Sequence, residues 1–281
     1  MLQVNSVNLQ FMFFVILCSI AHCHVIPLAK FLSSQETCRQ ERDMNPRINA
    51  LLAELPESEY QRLTAHMELV ALEKGRNLFA KGQVPSHVYY PVGALISMMI
   101  DMPDGFSVET YMMGKAGALG VVALDGPSCY RASVRDAGLA YRLPVPVFKR
   151  LLLDCPVHAQ GVAATLRRMI MQLAQGVVCG KHHSVEQQLI RWMLISLDRT
   201  LEPVIHLTHQ EMSERLGFRR EAITLALGKL TALGYVVSRR GETEVVRRSG
   251  LEAMACDCYW IGQEKPKPMA DSIELACSGL E

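Results

Sequence analysis

The period of the apolar positions changes along the chain. From Asn45 to Leu69, Ile48, Leu51, Leu52, Leu55, Tyr60, Leu63 and Met67 recur at spacings near three and four, with a break at Pro56, which predicts two short helices. From Val70 to Arg142 the apolar runs shorten to stretches rich in Val, Ile, Tyr and Met, punctuated by glycines from Gly75 to Gly138. That is the texture of short strands and tight turns in a β-sandwich or roll. Helical spacing returns after Pro144 and Pro146, and no proline interrupts His158 to Cys179. Within that stretch Val162, Leu166, Met169 and Leu173 fall on one stripe. The stripe reads as a dimer seam whose packing fades at Gly176 and Gly180 toward a flexible joint before Lys181; an amphipathic helix lying on its own domain has the same pattern. Residues 184–198 form another helix, with Ile190, Met193, Leu194 and Leu197 on its core face.

Thr208-His209-Gln210-Glu211 is a capping box, in which the Thr hydroxyl accepts an amide hydrogen three residues on and Glu211 reaches back to the Thr208 amide. The helix it starts runs through Met212 and Leu216 to Gly217, whose access to positive φ permits a sharp stop. A second helix from about Arg219 buries Ile223, Ala226, Leu227 and Leu230, with small Ser213 at the crossing. This is the spacing of a helix-turn-helix, although an αα-hairpin with a glycine turn shares it.

Charge favours the helix-turn-helix. The chain as a whole, at +1, says nothing of a polyanionic partner. Between Arg215 and Arg248, however, eight basic residues (Arg215, Arg219, Arg220, Lys229, Arg239, Arg240, Arg247 and Arg248) stand against three acidic ones. At the end of a helix that enters the major groove, Arg can fork onto guanine O6 and N7 and Glu can accept from cytosine N4. Arg219, Arg220 and Glu221 stand at that end, and Arg239 and Arg240, further along, are expected phosphate contacts. Tyr235 to Val246 reads as a β-hairpin wing with a charged tip, and Ser249-Gly250-Leu251-Glu252 as a second capping box opening a last helix.

With 281 residues, 49% of them hydrophobic, the chain is long enough for two ordinary domains plus extensions. Nine thinly spread cysteines suit a reducing compartment and imply a cytoplasmic protein. Against this stands the apolar run Leu9 to Ile20, which is of signal-peptide length but has no basic residue before Lys30. Residues 1–43 are read as an upstream extension of the reading frame, with Met44 the true start, or as a disordered tail; a membrane tether through residues 9–29 is the competing reading. No G-x-S-x-G, Walker loop, H-E-x-x-H or dinucleotide fingerprint is present, so no enzyme is expected. No metal is expected either. Cys18, Cys23 and Cys38 lack the spacing of a regulator's iron–sulfur cluster. The pairs Cys155/His158 and Cys179/His182 lie some ~30 Å apart along one helix, and Cys256-Asp-Cys258 in a helix sends its two sulfurs to different faces.

The order of parts resembles the Crp/Fnr family of bacterial transcription regulators. The residues that carry the match are L-T-H-Q-E-M-S-E-R-L-G-F-R-R-E-A-I at 207–223 and A-L-G-K-L-T-A-L-G-Y-V at 226–236, with R-N-L-F-A-K-G-Q at 76–83 and V-Y-Y-P-V-G-A-L-I at 88–96 similar to the opening strands of the family's effector-binding roll. The resemblance implies an α+β chain. Its parts are an extension (1–43), a cyclic-nucleotide-binding-like β-roll sensor (44–157), a long dimerisation helix (158–180), a winged helix-turn-helix (181–262) and a tail (263–281). It also implies a homodimer on an inverted-repeat DNA operator, with RNA polymerase as a further partner and no stable membrane association.

Arg220 and Glu221 match the family's base-reading Arg-Glu pair, while a further base-reading arginine falls on Leu225 here, which leaves that position a thymine methyl or no base. The base-reading set so implied is Arg220, Glu221, Thr224 and Leu225, with Thr208 and Arg219 joining Arg239 and Arg240 at phosphates. The expected effector pocket is Gly117, Ala118, Leu119, Gly120 and Arg131, with a surface or ion-paired arginine the competing reading of Arg131. The family's ribose-holding glutamate is replaced by Ala118, and Ala132 follows Arg131 where a Ser or Thr is expected. These departures place the chain outside the cyclic-AMP-binding members, with an effector other than cyclic AMP and no cofactor.

Overall fold

The computed structural model describes residues 45–200 and 202–262. The extension 1–43, its apolar run, the start at Met44, Cys18, Cys23, Cys38 and the tail 263–281 lie outside the described residues. Two short helices, α1 (Ala50–Ala53) and α2 (Glu57–Thr64), precede seven strands: β1 (Glu68–Leu72), β2 (Asn77–Phe79), β3 (His87–Pro91), β4 (Leu95–Asp101), β5 (Ser107–Met113), β6 (Arg131–Asp136) and β7 (Gly138–Pro144). Then come α3 (Val145–Asp154), the long α4 (Pro156–His182) and α5 (Val185–Arg199). The C-terminal part is β8 (Val204–Ile205), α6 (His209–Leu216), α7 (Arg220–Ala232), β9 (Val236–Arg239), β10 (Glu242–Val245), α8 (Arg248–Met254) and α9 (Asp257–Gly262).

The first seven strands form two antiparallel sheets, in the orders β1-β7-β3 and β2-β6-β4-β5, that enclose a core of Phe79, Tyr89, Ile96, Met98, Tyr111 and Val134 among others. β4 is buried along most of its length because both of its faces are covered. Ile96 and Met98 point into the roll, while Leu95 joins the core of the C-terminal domain and Ser97 bonds Arg215 of α6. A strand covered on both faces loses the polar alternation of a half-exposed one, hence the unbroken run Leu-Ile-Ser-Met-Met-Ile. Asn49, fully buried, ties the N-terminal helices to the roll: its amide donates to the Pro91 and Gly117 carbonyls at 3.0 and 2.9 Å.

The α4 helix corrects two expectations. Val162 and Leu166 pack with the α1–α3 core, and Met169 and Leu173 pack on the core of the roll, so the stripe expected to form the dimer seam faces this chain's own domain. The exposed apolar face is a different one, with Ile170, Met171, Ala174, Val177 and Val178. Nor does the helix loosen at Gly176 and Gly180. It continues to His182 and ends at His183, whose extended backbone (φ −115°, ψ 149°) leads into a Ser184/Gln187 capping box that starts α5. The backbone ladder needs no side chain at a glycine, and two well-separated glycines cost only about 2 kcal/mol of helix propensity.

Two further expectations fail at the C-terminus. Helix α8 is capped two residues early, at Arg247 instead of Ser249 and with no side-chain cap, and Glu252 pairs with Arg248 instead of completing a box with Ser249. Gly250 lies against the Tyr235 ring, where a Cβ would stand 2.5 Å from ring carbons. Cys256 precedes α9 instead of lying within it, so its sulfur and that of Cys258 converge, together with Cys179, in one buried cluster.

Helix α4 is capped from outside. Cys155 offers no capping side chain, and the Glu59 carboxylate accepts the Val157 and His158 amides at 3.1 and 2.9 Å. His158, fully buried, bonds the Tyr90 hydroxyl at 2.9 Å, and burial pushes its pKa from 6.5 down to about 4. The unfolded chain therefore takes up this proton first. Stability is fully present above about pH 6.5 and falls as the pH drops toward 4, by up to about 3 kcal/mol. Urea unfolding of wild type and His158→Gln across this range should show the acid-side loss in wild type and a shallower slope in the variant; parallel slopes would show that His158 does not titrate between the two states.

Candidate nucleic-acid interface

The helix-turn-helix is built by local rules. Thr208 Oγ1 accepts the Glu211 amide at 3.2 Å, and Glu211 Oε2 accepts the Thr208 amide at 2.7 Å, which closes the capping box. Gly217 ends α6 in the left-handed region at φ 73°. Ser213, nearly fully buried, turns its hydroxyl onto the Gln210 carbonyl, and Ile223, Ala226, Leu227 and Leu230 form the buried face of α7. The opposite face is open: Arg220, Glu221, Thr224 and Leu225 line one shallow surface groove with Gly228 and Lys229, and Leu225 is 68% exposed. Apolar side chains that exposed carry no packing role in the chain itself.

Strands β9 and β10 pair from Val236↔Val245 to Arg239↔Glu242, leaving Arg240 and Gly241 (φ 81°) as a two-residue turn. Arg239 and Arg240 are both exposed at this tip. His209 joins the three parts, a role that its place after the cap does not reveal in the sequence. Its Nδ1 lies 3.0 Å from Thr224 Oγ1 on α7 and its Nε2 lies 3.2 Å from Ser238 Oγ on the wing. Burial, with Arg220 nearby, lowers its pKa, which favours the neutral ring that bridges two hydroxyls.

The C-terminal domain docks on the outer face of the β4–β5 sheet through buried charge. Glu109, 1% exposed at its side chain, accepts the Trp192 indole at 2.7 Å and pairs with Arg215 at 3.3 Å; Arg215 also bonds Ser97 at 2.7 Å. Arg135, fully buried, bonds Ser196 at 2.5 Å and Asp136 at 3.0 Å. Arg199 stacks on Tyr111 at 4.4 Å and donates to the Met112 carbonyl and to Gln172. At the rim, Phe106 in the β4–β5 turn lies where a Gly217 Cβ would meet it at 3.0 Å, and an open cleft separates Phe106, Ser107 and Arg131 from Arg219 and Arg220.

Residues 187–254 match the Crp-like helix-turn-helix domain family. The chain therefore carries a Crp-like helix-turn-helix domain, that of a DNA-binding regulator. Its fold is shared with solved regulators of low identity. The c-di-GMP responsive global regulator CLP of Xanthomonas campestris is 16% identical, with 68% of this chain and 99% of that one covered at a TM-score of 0.56. FixK2 of Bradyrhizobium japonicum is 12% identical over 68% and 98%, at 0.58. A CRP-family transcriptional regulator of Thermus thermophilus, TTHB099, is 18% identical over 67% and 96%, at 0.54. No curated protein matches the sequence. The mixed architecture expected for the regulator, a β-roll followed by a long helix and a winged helix-turn-helix, is the one observed.

The structure sorts the regulator's expected site residues. Arg220, Glu221, Thr224 and Leu225 come together on one exposed face, with Arg219 at the cap of α7. Of the eight basic residues counted in this region, Arg215 is turned inward to Glu109, Arg248 pairs with Asp198 at 2.5 Å and with Glu252 at 2.7 Å, and Lys229 pairs with Glu186 at 3.0 Å. The basic face is thus narrower than the sequence count implied, and Arg247 lies over the Tyr235 ring at 5.2 Å.

The expected effector pocket is not formed as drawn. Arg131 is held by Asp101 in two 2.8 Å bonds at the β4–β5 end of the roll, an ion pair that keeps the Asp101 carboxyl at about 2. Gly117 packs on α4, where a Cβ would meet Thr165 at 2.8 Å, Ala118 and Leu119 are buried, and Leu119 bridges to Tyr89 of the other sheet. Among the described residues no helix is long and apolar enough to cross a membrane.

Removing Arg215 strands a buried carboxylate, whereas neutralising both partners does not. Arg215→Ala should therefore destabilise the regulator by on the order of 3 kcal/mol, and Glu109→Gln combined with Arg215→Met should recover most of that in urea unfolding. Equal losses in the single and double variants would show that the pair is not coupled.

Proposed function

We propose that this DNA-binding regulator recognises an inverted-repeat operator as a homodimer and is modulated through its β-roll. The observation that carries the reading is the exposed face of α7, on which Arg220, Glu221, Thr224 and Leu225 stand together, with His209 linking Thr224 to Ser238 of the wing. In this reading these four side chains meet base edges: Arg220 takes a guanine, Glu221 a cytosine, and Leu225 the methyl of a thymine. Thr208, Arg219, Arg239 and Arg240 meet phosphates and fix the register. The dimer forms along α4 through the exposed Ile170, Met171, Ala174, Val177 and Val178, since a stripe of this kind on a 27-residue helix is a natural seam for a second copy. The β-roll acts on the reading end of α7 through the Glu109–Arg215 contact and the Phe106 turn. The protein works in the cytoplasm, without an enzymatic step, with RNA polymerase as a further partner, and its effector is not cyclic AMP.

Selection from a random DNA library should enrich an inverted repeat with half-sites about 10–10.5 base pairs apart, or a multiple of that. Arg220→Ala should cost about 1–3 kcal/mol on that operator and little on random duplex, while Arg239→Ala with Arg240→Ala should weaken both alike and flatten the salt dependence. Ile170→Glu with Val177→Glu should give a monomer by light scattering, with operator affinity lost and the fold retained. Failure to enrich any repeat, or a dimer that survives the double Glu variant, would overturn the corresponding half of the reading.

A further inference from the structure

Away from the DNA-reading face, four potential metal ligands from two distant parts of the chain converge. Cys179 lies in the last turn of α4, and His183 is the residue at which α4 gives way to α5. Cys256 and Cys258 flank the first residue of α9, more than seventy positions later. All three sulfurs are buried, His183 is half-buried, and the four ligand atoms lie within 4.8 Å of one another. We propose that Cys179, His183, Cys256 and Cys258 form a binding site for a single thiophilic divalent cation, zinc in the first instance, that clasps the end of α4 to the C-terminal segment.

The geometry fits one tetrahedral ion. Metal–sulfur bonds of about 2.3 Å and a metal–nitrogen bond of about 2.0–2.1 Å set tetrahedral edges of about 3.8 Å between sulfurs and about 3.5 Å between sulfur and nitrogen. The Cys179 and Cys256 sulfurs stand 3.8 Å apart, and Cys258 Sγ stands 3.4 Å from His183 Nδ1. Three sulfurs and one imidazole are the soft, closed donor set of a structural zinc site, with no position left for water. An outer partner is in place: Gln175 Nε2 donates to Cys258 Sγ at 3.0 Å, a bond that favours the thiolate. Binding releases the thiol protons and leaves a net charge of −1, which the nearby Arg191 offsets.

The site's place in the fold gives the ion a mechanical role. His183 is the joint residue itself, its carbonyl accepts a hydrogen bond from the side-chain Nε2 of Gln188 in α5 at 2.8 Å, and α9 packs along α4. An ion held here fixes the angle at which the long helix enters the DNA-binding domain, and couples that angle to metal supply and thiol oxidation.

The full chain, expressed with zinc and purified reduced and free of chelator, should hold about one zinc per chain by elemental analysis. Replacement with Co²⁺ should give a thiolate-to-metal charge-transfer band and the ligand-field bands of a tetrahedral site. Cys256→Ser with Cys258→Ser should lose the ion and the cobalt spectrum. His183→Cys, which supplies a fourth thiolate, should keep both, as should Cys18→Ser with Cys23→Ser and Cys38→Ser. The cobalt titration of unmodified protein needs no variant to fold. The proposal is overturned by a reduced wild-type chain that takes up neither zinc nor Co²⁺, by a Cys179–Cys256 disulfide in its place, by labile sulfide with several irons, or by an ion retained when Cys256 and Cys258 are both removed.

Discussion

The arrangement of the molecule depends on a carboxylate that has no access to water. Glu109 sits on the outer face of an edge strand, where a charge would ordinarily be solvated, and is covered by Trp192 and Arg215 of the following domain. A buried carboxylate must keep its partners, so the helix-turn-helix cannot leave the sheet without exposing Glu109 and breaking the bonds that Arg215 makes to it and to Ser97. Arg135 and Arg199 repeat the pattern nearby, each reaching across the same boundary. Polar contacts of this kind are directional, and they fix a docking angle in a way that the apolar contacts of Leu95 and Met112 do not.

That docking explains why β4 is buried on both faces, and why the N-terminal end of α7 borders the β4–β5 turn. It also sets the β-roll directly against the helix-turn-helix. The roll meets α6 through two ion pairs, Glu109–Arg215 and Lys74–Glu211, and through the Phe106 ring, while the long α4 helix supplies a second connection that ends at the cysteine-lined joint.

The sequence disclosed the parts that depend on neighbours a few residues away. The Thr208–Glu211 box, the stop at Gly217 and the buried face of α7 all follow from spacing and capping chemistry, and each is seen at the expected residues. Features set by distant partners were not legible. Both sides of α4 carry apolar side chains, and which side meets the roll depends on the packing of α1 and of the sheets, so Val162 and Met169 could not be told from Ile170 and Val177 by periodicity. Arg215 looked like part of the basic face because Glu109, its partner, stands 106 positions away. The cysteines looked scattered for the same reason: Cys179 and Cys256 are 77 residues apart, and a chain bend before α9 brings their sulfurs together.

Whether the exposed face of α7 reads base edges is tested most directly by methylation interference on a selected operator. Methylation of guanine N7 blocks the fork that an arginine makes with N7 and O6. One guanine in each half-site, related to its mate by the operator's dyad, is predicted to abolish binding of the wild-type regulator when methylated and to make no difference to Arg220→Ala. Interference that is absent, or that persists unchanged in the Arg220→Ala protein, would contradict base reading by this helix.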